Sequence, residues 1–124
     1  MKTEFYKHIG ALFYAIAKAD GNLSFEEYTK LADCLDRDWY HIGAENINVI
    51  KKRFNNLQSE DKLAITCYES FIDYLHKNPG LFNSDMKSLI LKTANDIAYA
   101  FAKINKSELN YVAKLNIEFK KREI

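Results

Sequence analysis

The chain has 124 residues, of which 48% are hydrophobic and 28% charged, with a formal charge of +1. That length suits one domain with a single core, and so even a charge balance excludes a global field for nucleic acid or an anionic membrane surface. The two cysteines, Cys34 and Cys67, lie far apart without CxxC or Cys/His metal spacing, which fits reduced thiols in a cytoplasmic protein.

Phe5, Ile9, Leu12, Phe13, Ile16 and Ala17 recur at three- and four-residue steps and predict a first helix, one apolar stripe ending at Asp20-Gly21. Tyr6, His8, Gly10 and Tyr14 interrupt this segment and no convincing cleavage region accompanies it. It therefore reads as a helix of the domain, neither a signal peptide nor a bilayer span. Ser24 stands three residues before Glu27, the capping-box spacing, and opens a second helix with Tyr28, Leu31, Ala32 and Leu35 inward. "DRDWYHIGAEN" loses the period and reads as a loop or short turn that Trp39 anchors to the core. A third helix starts near Glu45, turns Ile47, Ile50, Phe54 and Leu57 inward, and is expected to end near Asn55-Asn56.

Ser59 followed by Glu60 and Asp61 reads as the start of a fourth helix, because a capping oxygen and early acids both complement a helix N-terminus. Its inward residues are Leu63, Cys67, Phe71, Tyr74 and Leu75, and "KNPG" stops it. Asn83 or Ser84 caps a long fifth helix with Met86, Leu89, Ile90, Ala94, Ile97, Phe101 and Ile104 on one face. Ser107-Glu108 opens a sixth, with Leu109, Val112, Leu115 or Asn116, and Phe119 inward. No segment of strand length alternates, so the expected fold is all-α: a single-domain bundle of about six helices over 1–124.

"YAIAKAD" at 14–20 echoes "YAFAKIN" at 99–105, and each is followed by Ser and a helix containing Tyr, "SFEEY" and "SELNY". The chain thus reads as two pseudo-repeated helix hairpins, whose alanines leave room for close packing. "AIAKADGNLSFEEYTKLADCL" also resembles the signature of the TerB-like tellurite-resistance domain, through Ala19, Asp20, Gly21, Glu26, Glu27 and Leu31. A similar hairpin occurs in DjlA-type co-chaperones. The resemblance covers the first 35 residues, with "YAFAKINKSELNYVAKL" as a degenerate second copy in which Asn105 and Lys106 replace the acidic-Gly turn. It implies a non-enzymatic, stress-related helical module in which acids at the paired motifs bind a divalent cation such as calcium.

Side-chain chemistry constrains that implication. Setting Gly21 as the glycine of an EF-hand loop would place Ile16 and Lys18 at ligand positions, one without a donor atom and the other repelling cations, so a working EF-hand is rejected. Asp20, Glu26 and Glu27, with Glu108 from the second hairpin, remain as candidate metal ligands of a weak site. The competing reading is punctuation, with Asp20 bonding turn amides and Glu27 in the capping box. His8, His41 and His76 have no partner at ligand spacing, and no HExxH, P-loop, GxSxG or dinucleotide motif occurs, so no enzyme is expected. The alternative to the cation module is a protein-interaction module. Its acidic region from Asp20 to Glu45, or its loop at Trp39 and Tyr40, would then face a basic partner or a second copy. Neither nucleic acid nor a transmembrane segment is implied, and a membrane would be approached only through a partner.

Overall fold

From Ala11 to Ala17 the first helix has no exposed residue in the computed structural model, which describes residues 2–19, 25–101 and 107–121. A helix buried on every side belongs at the centre of a bundle. This one, α1 (Lys2–Lys18), packs against α3 (Ala44–Ser59), α4 (Ala64–Lys77), α5 (Ser84–Phe101) and α6 (Ser107–Lys121). The single stripe expected from the sequence is therefore widened by Tyr6, Ala11, Tyr14 and Ala15, all buried. With α2 (Phe25–Asp38) and two short 3-10 turns, at Tyr40–Ile42 and Pro79–Leu81, these helices form an all-α bundle without a strand among the described residues.

Close approach of α1 to α3 depends on Gly10. A Cβ there would lie 2.8 Å from the carbonyl oxygen of Ile50 and 3.1 Å from Cβ of Arg53. Backbone cannot retreat as a flexible side chain can, so the missing side chain sets the separation of the two helices. On α3 the buried residues are Ile47, Ile50, Phe54 and Leu57, as their spacing predicts.

The end of α3 departs from the sequence reading. Asn55 and Asn56 lie exposed inside the helix and do not stop it. Ser59, expected to open the fourth helix, is the last residue of the third. Asp61 adopts a left-handed conformation (φ 51), its amide donates to the Gln58 carbonyl at 3.0 Å, and that of Lys62 donates to Leu57 at 3.2 Å. This is the Schellman pattern, a C-terminal cap that Asp tolerates because its short polar side chain suits the left-handed region. The first helix pins the turn: the Tyr14 hydroxyl donates to the Lys62 carbonyl at 2.7 Å, and Lys18 pairs with Asp61 at 2.8 Å. Accordingly α4 starts only at Ala64, and Leu63, expected in the core, is its 67% exposed N-cap.

The remaining elements follow their patterns more closely. Asn83 rather than Ser84 caps α5, its side-chain oxygen accepting from the Met86 amide at 2.8 Å. Leu115, not Asn116, faces the core of α6, beside Val112 and Phe119. Trp39, fully buried, anchors the segment after α2 by donating to the Thr93 hydroxyl at 2.8 Å and setting its ring edge-on to Phe13. The helices of the two predicted hairpins pack on one another, α1 against α5 and α6, and α2 against α5.

Candidate functional site

The seam between α2 and α5 fixes which ends of the two hairpins are neighbours. Asp38 accepts from Lys92 at 2.9 Å and from Arg37 at 2.8 Å. One turn further along, Arg37 reaches Asp96 at 3.0 Å and the Cys34 thiol faces the same carboxylate at 4.0 Å. Residue numbers fall along α2 as they rise along α5, so the helices are antiparallel. The first turn of α2 therefore lies at the same end of the bundle as the last turn of α5.

Charge and burial set the chemistry of this seam. Hydrogen bonds from Arg37 and then Lys92 hold the Asp38 carboxyl well below the usual carboxylate range, while the bond to Asp38 pushes the Arg37 guanidinium further up. The Lys92 ammonium is also raised, first by Asp38 and then by Asp96. Cys34 is buried, and burial followed by the Asp96 charge raises its thiol. A thiol held in that direction stays protonated at neutral pH, the opposite of an activated nucleophile. Within the acidic region, Asp36 is held by Lys51 at 3.1 Å and Asp38 by two cations. Tyr40 beside it is 74% exposed.

Of the four predicted cation ligands, Asp20 lies outside the described residues. Glu26 and Glu27 fall in the first turn of α2 and Glu108 in the first turn of α6, with side chains outside the described ones. Two of their neighbours are placed. Ile16 is fully buried, in keeping with its exclusion as a ligand, and the charge of Lys18 is engaged by Asp61. Among the described residues no three His, Cys, Asp or Glu side chains gather as a metal ion requires, and no helix is long and apolar enough to cross a membrane.

A second feature, absent from the sequence reading, is a groove of about 450 Å³ between α4 and α6. Tyr68 and Tyr111 lie with ring centroids 4.9 Å apart, and His76 meets Glu118 at 3.0 Å, so the two helices run parallel along it. The Tyr68 hydroxyl is buried with no hydrogen-bond partner among the described residues, and burial pushes its pKa up to about 12. Sequence spacing signals none of this, because His76 and Glu118 are 42 residues apart and Tyr68 lies one position off the predicted core register. Comparison of the chain with protein-family models, curated protein sequences and solved structures gives no match.

Proposed function

We propose that the chain is a non-enzymatic, stress-related helical module of the TerB-like kind, whose paired hairpin ends hold a weakly bound divalent cation. The resemblance rests on Ala19, Asp20, Gly21, Glu26, Glu27 and Leu31. The observation that carries the cation reading is the antiparallel α2–α5 seam, which sets the start of α2 and the end of α5 at one end of the bundle. Six residues separate the end of α5 from Glu108, short enough for the acids of both hairpins to serve one ion. Lys18 supports the reading in a second way, because its pairing with Asp61 offsets the positive charge closest in sequence to Asp20. A hard cation takes six to eight oxygens. Four carboxylates completed by turn carbonyls and water meet that need with low affinity, in the millimolar range typical of weak sites.

Calcium, magnesium, manganese and zinc are titrated separately while the melting temperature is followed. At ten times its dissociation constant a ligand specific to the native state stabilises by about 1.4 kcal/mol, roughly 5 °C for a domain of this size. Calcium or manganese is expected to give such a rise, and Asp20→Asn combined with Glu27→Gln to abolish it. The reading fails if no ion shifts the melting temperature, or if the double variant shifts as much as the wild type.

A further inference from the structure

We propose that the face between α4 and α6 is a contact between two copies of this chain, related by a two-fold axis that runs along the groove. The face is built for a protein surface. Ile117 is 56% exposed and Ile72 half-buried at the groove, and Ile65 is 44% exposed on the same helix. The α4 rim carries Glu69 and Asp73, the latter paired with Lys77 at 3.0 Å, whereas the α6 rim carries Lys114 and Lys121, the latter 3.5 Å from Glu118, so among the described residues the uncompensated charges across the groove are Glu69 and Lys114. On the floor, Tyr68 is 7% exposed, and its hydroxyl is buried without a hydrogen-bond partner among the described residues.

This distribution of charge selects both the occupant and the symmetry. A two-fold axis along the groove exchanges left and right while keeping the level, so α4 of one copy covers α6 of the other. Each acidic rim then meets a basic rim. Because the helices run parallel, with Tyr68 opposite Tyr111 and His76 opposite Glu118, Glu69 stands level with the turn that carries Lys114 of the second copy. Ile72 likewise faces Ile117. An axis across the groove would instead set Glu69 and Asp73 against their own copies, and like charges in contact are disfavoured. Such a pairing is isologous, as most protein dimers are. Two helices each about 20 Å long offer an area at the low end of specific interfaces, so association is expected in the micromolar range or weaker.

The proposal uses none of the residues of the cation reading, and its test is independent. Sedimentation velocity of the wild type from about 5 to 500 μM is expected to show the mean mass rising from 14.4 kDa toward twice that value. Glu69→Lys alone and Lys114→Glu alone should each raise the midpoint of association at least tenfold, with circular dichroism melts showing both variants folded. Mixed in equal amounts they should associate again, since the lysine replacing Glu69 then meets the glutamate replacing Lys114, and the unaltered Lys114 meets the unaltered Glu69. Asp33→Lys and Lys52→Glu, the same charge changes at exposed positions of α2 and α3, should each associate like the wild type. A wild type that stays monomeric throughout overturns the proposal and leaves the groove to a partner of another kind. Single variants of the groove that associate like the wild type, or a mixture that does no better than its components, overturn it equally.

Discussion

Trp39 is the largest fully buried side chain, and it carries a polar atom into the core. Its indole N–H is satisfied by Thr93, itself fully buried, so each residue answers for a group the other could not leave bare. Thr93→Val keeps the shape and removes the acceptor, at an expected cost of about 1–3 kcal/mol for the orphaned donor. Combining it with Trp39→Phe should cost less than the sum of the two single changes, because neither polar group remains to be stranded. Urea denaturation of the four proteins measures this, and strict additivity would contradict the coupling. Trp39 is legible in the sequence as an anchor, since a lone tryptophan in an aperiodic stretch has few other uses. Thr93 is not, because a threonine between apolar positions of a helix reads equally well as surface.

At the scale of elements, the helices were readable wherever apolar spacing repeats, and misread where one signal serves two ends. Ser59, Glu60 and Asp61 have the composition of a helix start, but a left-handed Asp61 makes the same triplet a helix end, held there by its Schellman hydrogen bonds and by Tyr14 and Lys18 of α1. Gly10 is a similar case. A glycine within a helix reads as a weak point, since alanine there favours the helix by about 1 kcal/mol. In the fold it is the point where the α3 backbone passes. Gly10→Ala is therefore expected to destabilise by about 1–3 kcal/mol despite its better propensity, as overpacking does. A stabilised Gly10→Ala in thermal or urea unfolding would show that α1 and α3 are free to separate.

Over the whole molecule, ion pairs tie together elements distant in sequence, and their protonation sets the acid limit of stability. Asp38 is held low by Arg37 and Lys92, Glu118 mainly by His76, and Asp61 by Lys18. Each binds protons less readily folded than unfolded, where the reference values are about 3.9 for Asp and 4.3 for Glu. Their stabilisation is thus present above those values and is lost as pH falls through the lower native ones. The urea midpoint is expected to be level from about pH 6 to 5 and to drop below about pH 4. Asp38→Asn should flatten that drop, and an unchanged slope would remove Asp38 from the account. None of these partnerships is visible in the sequence, because each joins residues on different elements or depends on their packing. The candidate cation ligands are the reverse: their residue types and spacing are legible, while the α2–α5 seam, which sets the start of α2 and the end of α5 at one end of the bundle, is not.

The cation reading is tested most directly by adding manganese to the ¹⁵N-labelled protein and following each backbone amide, since the ion broadens resonances only near where it binds. Saturable broadening confined to the start of α2 and the start of α6, and abolished by Asp20→Asn with Glu27→Gln, is the expected result. Broadening that never saturates, or that centres on other acidic residues, would contradict it.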